Sequence, residues 1–272
     1  MMKRAAFIGA GNMGGAIVKA VCKGCNPQEI AIYDPMREKA ERLRDQTGCT
    51  VAKTVKEAAL DAKYIFICVK PQVFQGVLGE LLGEMEDNDT EHVIVSIAAS
   101  IPIHSIEKIL AGKQKTFPVI RLLPNTPVSV GYGLTLMTGN SDVTESDYRE
   151  LAALLEPGGL VEYTDEHTME VACPVYSCTP AFGSLFIEGL SDGGVQIGLP
   201  RDKAIRYAAQ GILGAAALVL QSGQHPGQLK DAVCSPGGTT IVGVTTLEEY
   251  GVRYAAAKSI LNAYQRMKEL ET

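Results

Sequence analysis

The segment Phe7-Ile8-Gly9-Ala10-Gly11-Asn12-Met13-Gly14-Gly15 constrains this chain more than any other. Residues 5–9 form an apolar run of strand length, and an amphipathic helical pattern follows over 13–23. Three glycines spaced G-x-G-x-x-G between a strand and a helix have separate uses. Gly9 allows a tight turn, Gly11 lets the backbone approach a pyrophosphate, and Gly14 lets helix and strand pack closely. The helix start then presents free N–H groups and the positive end of its dipole, which suits phosphate. Glycine-rich turns are common, so the spacing alone is weak; the strand before it and the helix after it give it weight. Ile8, Gly9, Ala10, Gly11, Asn12, Met13 and Gly14 are thus read as a dinucleotide-binding loop.

The rest of the first half repeats the pattern. Apolar runs at 5–9, 30–33, 64–69, 93–97 and 119–122 alternate with amphipathic stretches near 13–23, 36–46, 72–82 and 103–111. Strands that are apolar on both faces and alternate with helices form parallel sheets covered on both sides. The fold class expected is α/β, with an N-terminal doubly wound sheet of Rossmann type. Residues 132–163 read as an edge hairpin and a helix, with 146–155 helical. Beyond about 165 the strand signal stops, and helical patterns run over 180–197, 201–222, 239–249 and 252–270. Pro200 suits the first position of its helix, where its missing N–H is no loss. The expected division is an NAD(P)-binding domain over 1–164 and an all-α domain over 165–272, in keeping with about 1.8 domains for 272 residues.

Composition excludes several classes. The net charge is −6, with 31 acidic and 25 basic residues, against the basic surplus of a nucleic-acid binder. The longest uncharged stretch, 207–229, has an apolar part of only about ten residues, half of what a bilayer span needs. It reads as a helix buried inside protein, with no membrane partner. Seven cysteines are an odd number, and the first residues show no secretory signal, so reduced thiols in a cytoplasmic protein are expected. Cys22-Lys23-Gly24-Cys25 is a lone C-x-x-C with no second pair at zinc spacing, read as a helix terminus; no metal is expected. Four histidines have no metal-like neighbours, and His225 is assigned to fixing its loop. Twenty-eight glycines without a collagen-like period indicate tight turns and close backbone approaches.

Ligands of open α/β sheets bind beyond the carboxyl ends of the strands, so the residues closing each strand are candidates. Asp34, twenty residues after Gly14, can accept from both ribose hydroxyls. Arg37 either pairs with a 2′-phosphate or lies solvated in a first helical turn. The cofactor expected is NADPH or NADH, without a preference. Val69-Lys70-Pro71 borders the same edge: Pro71 fixes the turn, and Lys70 is either a cation for phosphate or carboxylate or a surface lysine. In Ser96-Ile97-Ala98-Ala99-Ser100, the small Ala98 and Ala99 leave room for a nicotinamide ring. In Pro124-Asn125-Thr126-Pro127, Asn125 orients the carboxamide or substrate, or simply bonds the turn backbone.

A second constellation is Ser235-Pro236-Gly237-Gly238-Thr239-Thr240, which opens an apolar helical run. The N–H groups of Gly237, Gly238 and Thr239, with hydroxyls from Ser235, Thr239 and Thr240 beside them, form a site for a small carboxylate. An ordinary capped helix needs only one such hydroxyl and no Gly-Gly pair. Cys234 has no base placed to make it a nucleophile.

This second segment, with the preceding His225-Pro226-Gly227-Gln228-Leu229-Lys230-Asp231, closely resembles the signature of the pyrroline-5-carboxylate reductase family. The resemblance extends along nearly the whole chain through the glycine loop, Val69-Lys70-Pro71, Pro124-Asn125-Thr126-Pro127, Asp192-Gly193-Gly194-Val195 and Gly198-Leu199-Pro200. It implies a nicotinamide-binding domain, then a helical domain that forms dimers, often assembled into rings. It implies hydride transfer from nicotinamide C4 to the C=N carbon of the pyrroline ring, giving L-proline, the last step of proline biosynthesis. The carboxylate-holding loop of the family maps onto Ser235, Gly237, Gly238 and Thr239, and its threonine near the ring nitrogen onto Thr240. Thr240 and Lys70 are the catalytic candidates, with Asn125 added on the substrate side. A protonated imine is already electrophilic, so orientation outweighs proton transfer in this reading. One departure stands out: the family's Ser-Gly-Ser-Gly-Pro-Ala reads Tyr176-Ser177-Cys178-Thr179-Pro180-Ala181, with Tyr176 expected to project into the neighbouring cleft.

Two other functions fit part of the pattern. A hydroxyacid dehydrogenase of the same plan needs a catalytic lysine on an interdomain helix, and neither Lys203 nor Lys230 sits in such a motif. A non-enzymatic NAD(P) sensor needs the glycine loop but not the Ser-Pro-Gly-Gly-Thr-Thr helix start.

Overall fold

In the computed structural model, which describes residues 3–85, 91–111 and 116–271, the alternation of apolar runs becomes one eight-stranded sheet. The first half runs β1 Lys3–Ile8, α1 Asn12–Gly24, β2 Ile30–Tyr33, α2 Arg37–Thr47, β3 Thr50–Val51, α3 Val55–Ala59, β4 Ala62–Ile67 and α4 Pro71–Met85. It continues with β5 Val93–Ser96, α5 Ile103–Leu110, β6 Val119–Pro124, β7 Gly133–Gly139, α6 Glu145–Leu155, β8 Gly159–Tyr163 and α7 Glu166–Ser177. The strand order is β3-β2-β1-β4-β5-β6-β7-β8, and every pairing is parallel except β6 with β7.

Both faces of β1 are buried, which is why its sequence is continuously apolar rather than alternating. Ala5 and Phe7 join a core with Ile17, Val21, Leu43 and Leu155 beneath α1, α2 and α6. Ala6 and Ile8 join the opposite core, with Val55, Phe74, Leu78 and Ile106 beneath α3, α4 and α5. Phe7 stacks on Phe66 across the β1–β4 pair, with centroids 4.2 Å apart. Each buried aromatic of this kind contributes about 1.5–3 kcal/mol by burial. The order reverses direction between β1 and β4, and a crevice for a ligand opens at such a point.

The expected edge hairpin over 132–163 is corrected. β7 and β8 pair in parallel, with α6 as the crossover, and the antiparallel partner of β7 is β6. β3, α3 and α7 are additional elements. The first two are too short for periodicity to reveal, and α7 carries Pro174 in its interior, which disguises it as a break.

The chain divides into two compact units, Met1–Ser177 and Cys178–Thr272. The boundary expected near 164 differs from this division by α7. Met169 of α7 is fully buried against Leu123 of β6 and Leu136 of β7, which ties the helix to the sheet. The second unit comprises α8 Thr179–Gln196, α9 Arg201–Ser222, α10 Pro226–Ala232, α11 Thr239–Glu249 and α12 Val252–Glu271. Gly198 (φ 102°) turns the chain between α8 and α9, and Arg201 pairs with Asp192 at 2.5 Å across that corner. The helix expected to be buried inside protein is α9, yet among its residues only Ala204 is buried within this chain. By length and composition alone α9 is also long and apolar enough to cross a membrane.

Candidate active site

At the end of β1 the glycine loop takes the shape its spacing implies. Gly9 has φ 110°, and its N–H donates to Tyr33 O at 2.7 Å. A Cβ there would stand 2.5 Å from Cys68 O, so no other residue fits without moving backbone. A Cβ at Gly14 would stand 2.5 Å from Gly9 O and 2.9 Å from Cys68 Cβ, which is the close helix–strand contact. Gly11 faces open space, with nothing within 4 Å of the position a Cβ would take. The first helical bond of α1 runs from Gly15 N to Gly11 O at 2.8 Å, and no side chain caps the helix. The N–H groups of Asn12, Met13 and Gly14 therefore precede the ladder and point out of the helix start. Two tight positions and one open one make a cradle that a pyrophosphate fits.

Cys68, whose residue type carries no such signal in the sequence, is the surface against which both tight glycines press. Desolvation pushes its thiol well above the ordinary range, so it stays neutral beside the loop. The signal for it lay in its position just after β4, where only a small side chain leaves Gly9 and Gly14 room.

Asp34 holds the loop down. Its Oδ2 accepts from Ala10 N and its Oδ1 from Met36 N, each at 2.8 Å. One lone pair on each oxygen is used in this way. Arg37 is exposed and paired with Glu41 at 2.8 Å. Along the same edge, Val69 packs on the second core, and Pro71 opens α4. Lys70 is exposed just before α4 and makes no ion pair among the described residues. Ala98 is buried in the second core, so only Ala99 and Ser100 present themselves at the turn after β5.

Asn125 is 7% exposed, and the protein engages both ends of its amide. Its Oδ1 accepts from Leu134 N at 2.9 Å and its Nδ2 donates to Tyr176 O at 3.0 Å. The turn-bonding alternative describes these contacts. Tyr176 does not project into a cleft: its hydroxyl donates to Leu123 O at 2.8 Å, and burial pushes its pKa up. The family departure at 176 thus reads as a fastening of α7 to β6.

In the second unit, Gly237 (φ 66°) and Gly238 deliver the chain into α11. Gly238 N donates to Ser235 O at 3.0 Å, and a Cβ at Gly238 would overlap Ser235 Oγ. The helix begins without a side-chain cap although Ser235, Thr239 and Thr240 all carry hydroxyls, and all three are exposed. Their hydroxyls have no protein partner among the described residues. The start of α10 offers a contrast, since there His225 Nδ1 accepts from Gly227 N and Gln228 reaches back to His225 N.

The C-x-x-C pair is unremarkable: both thiols are free, Cys25 Sγ donates to Val21 O at 3.3 Å, and burial raises Cys22 to about 12. Among the described residues no three His, Cys, Asp or Glu side chains gather into a metal-ligand set.

Residues 166–270 match the family described as pyrroline-5-carboxylate reductase dimerisation, and residues 4–100 match the NADP oxidoreductase, coenzyme F420-dependent family. The pyrroline-5-carboxylate reductase of Escherichia coli is 36% identical over 272 residues, covering 99% of both chains. Pyrroline-5-carboxylate reductase 3 of Danio rerio is 38% identical over 267 residues, covering 97% of this chain and 90% of its own. Among solved structures, a pyrroline-5-carboxylate reductase from Coxiella burnetii superposes with a TM-score of 0.87 at 28% identity over the full length of both chains. A Plasmodium falciparum pyrroline carboxylate reductase with NADP bound superposes with a TM-score of 0.84 at 26% identity, again over the full length of both. With the glycine cradle, the open α11 start and full-length relatives all in agreement, the chain belongs to the pyrroline-5-carboxylate reductase family and is an NAD(P)H-dependent oxidoreductase.

Proposed function

We propose that this protein reduces 1-pyrroline-5-carboxylate to L-proline, with the Ser235–Thr240 helix start as the seat of the substrate carboxylate. The observation that carries the assignment is the uncapped start of α11, where three exposed hydroxyls stand without a protein partner among the described residues; Gly238 N is taken by Ser235 O, while the N–H groups of Thr239 and Thr240 precede the helical ladder. A carboxylate supplies the cap that the chain itself omits. Ser235, Gly237, Gly238 and Thr239 hold it, and Thr240, on the same turn, directs its hydroxyl to the ring nitrogen. A hydroxyl is a poor acid, so Thr240 orients the imine more than it protonates it.

The cofactor fits the loop at Ile8–Gly14, since the two tight glycines and the open Gly11 leave a concavity that a Cβ would fill. When bound, the nicotinamide supplies the hydride delivered to the C=N carbon. Asp34 takes the ribose hydroxyls, Arg37 exchanges Glu41 for a 2′-phosphate when NADPH is used, and Val69, Lys70 and Pro71 close the edge, with Lys70 as the cation for phosphate or carboxylate. Ala98 supports the turn from below, and Ala99 faces the nicotinamide. Asn125 acts on this site by fixing the β6 turn, with one amide N–H left for the substrate side. The apolar faces of α8–α12 are covered by a second copy, with dimers joined into a ring, in a cytoplasmic setting.

The test is oxidation of NADPH and NADH with pyrroline-5-carboxylate against a panel of 3-hydroxyacids. Thr240→Ala is expected to lower turnover about 10- to 100-fold with NADPH binding intact. Silence with the pyrroline sinks the assignment, and unchanged kinetics in Thr240→Ala remove that residue from the site.

A further inference from the structure

Arg121 is the largest fully buried side chain among the described residues, 2% exposed, on β6 beside Ser96 of β5. A guanidinium cannot shed its charge, and burying one is costly unless its surroundings are built for it. Here they are built asymmetrically. Nη2 donates to Ala99 O at 2.5 Å, Nη1 pairs with Glu166 Oε1 at 2.5 Å, and Glu170 Oε1 lies 3.5 Å away. Nε is buried with no hydrogen-bond partner among the described residues. Full satisfaction of the arginine is therefore not what this arrangement achieves, and an apolar side chain would fill the volume more cheaply.

What the fork does achieve is to hold the turn between β5 and α5 from both ends. Arg121 takes the carbonyl of Ala99, and the same Glu166 Oε1 that receives Arg121 also accepts from Ile103 N at 2.9 Å, at the first residue of α5. The turn is thereby fastened to α7. Further along, the end of β6 and the residue just after it meet the same helix. Leu123 O accepts from the Tyr176 hydroxyl, and Asn125 Nδ2 donates to Tyr176 O. Two positions of β6 and the residue that follows it thus bind one helix, first by charge and then by hydrogen bonds.

We propose that Arg121 is a positioning residue for hydride transfer: through Ala99 and Glu166 it sets the height of the β5–α5 turn. This rests on the reading that Ala99 faces the nicotinamide. A planar, two-armed donor is needed because the turn carbonyl and Glu166 must be held in a fixed relation, which a single ammonium does not enforce.

The experiment uses the full-length enzyme with Arg121→Lys, with the paired change Arg121→Met plus Glu166→Gln, and with Ala99→Leu. Melting temperature, NADPH affinity, kcat, and the isotope effect with NADPH deuterated at the transferred C4 position are measured for each. The paired change removes the two main charges together, so folding is retained even where a lone deletion fails. Arg121→Lys is expected to melt near the parent and to bind NADPH within about twofold. Its kcat should fall about 10- to 100-fold, with a larger isotope effect, as for a reacting group displaced by about an ångström. Parent-like kcat in Arg121→Lys overturns the proposal. So do kcat losses that follow melting temperature across the variants with an unchanged isotope effect, which is the signature of a purely structural role. Ala99→Leu separates the two readings: it should weaken NADPH but not 2′,5′-ADP. If it weakens neither, the placement of the nicotinamide fails, and the role of Arg121 fails with it. If it weakens NADPH alone while Arg121→Lys is parent-like, only the role of Arg121 falls.

Discussion

The two units of this chain bury themselves to very different degrees. In residues 3–177 the sheet is sealed on both faces, with Phe7, Ile32, Phe66 and Phe74 wholly out of solvent. Among the described side chains of residues 178–270 only Ala204 and Ser191 are buried, while Leu185, Leu220 and Tyr254 are 70% or more exposed. Both units carry helices with apolar residues in plenty, so propensity does not separate them. The first unit closes its own core, whereas the second matches a dimerisation family and leaves its apolar faces for something else to cover. The same contrast holds for their ligand loops. The Gly9–Gly14 loop is held in place by Cys68 and Asp34, while the Ser235–Thr240 loop has its hydroxyls free.

The largest effect is expected where the first unit has no slack. Gly9→Ala places a Cβ against the Cys68 carbonyl at a φ of 110°, and Gly14→Val wedges α1 away from β1. Each should destabilise the sheet unit by about 3 kcal/mol and reduce NADPH affinity at least about 100-fold. Fluorescence titration with NADPH checks this, and a Gly9→Ala protein that binds as the parent does breaks the claim that packing dictates the loop. In the second unit the corresponding expectation concerns mass action. Its melting midpoint should rise with protein concentration, since each tenfold increase adds about 1.4 kcal/mol to an associated state. A midpoint independent of concentration would show that the exposed faces of α8–α12 need no partner. Gly238→Ala then probes the open loop: the new methyl displaces the movable Ser235 hydroxyl and crowds the Ser235 carbonyl oxygen at 3.1 Å. The KM for pyrroline-5-carboxylate should rise about tenfold, equivalent to about 1.4 kcal/mol, with melting and NADPH affinity unchanged.

How much of this could be read from the sequence follows the same division. The glycine loop, the apolar strands and the α11 start were legible because each rests on a local pattern: spacing, period, or a hydroxyl beside Gly-Gly. Strand β3 is too short to show a period, and Pro174 hid α7. The β7–β8 pairing was misread as a hairpin because direction is set by the crossover α6, which a strand's own residues do not record. Cys68, Arg121 and Tyr176 were invisible or misassigned for a single reason. Their partners lie on other elements, as with Tyr176, which grips Leu123 fifty-three positions away. Asn125 was left between two readings, and its contacts with Leu134 N and Tyr176 O show what its amide already holds.

The smallest expected effect sharpens the contrast between a cap that stabilises and a cap left open for a ligand. At the start of α6, Thr144 and Asp147 form a closed capping box, and Lys63 pairs with Asp147 at 3.1 Å and with Glu150 at 2.7 Å. Burial alone would raise the Asp147 pKa, but hydrogen bonds from Thr144 and the Lys63 charge outweigh it and hold the carboxyl below its ordinary value. A carboxylate depressed in the folded state contributes stability above its unfolded pKa, and that contribution is lost as pH falls through the lower folded value. The parent should therefore lose part of its sheet-unit stability below about pH 4, and Asp147→Asn should start about 1 kcal/mol lower at neutral pH and show a flatter acid limb. Thr144→Ala should also cost about 1 kcal/mol in melting and leave the KM for substrate untouched. Ser235→Ala should do the reverse, because its hydroxyl caps nothing until a carboxylate arrives. Measured side by side, these two hydroxyl deletions distinguish a helix start that the fold has completed from one that the substrate completes; a Ser235→Ala protein that loses stability and keeps its KM would place α11 with α6 among the ordinary capped helices.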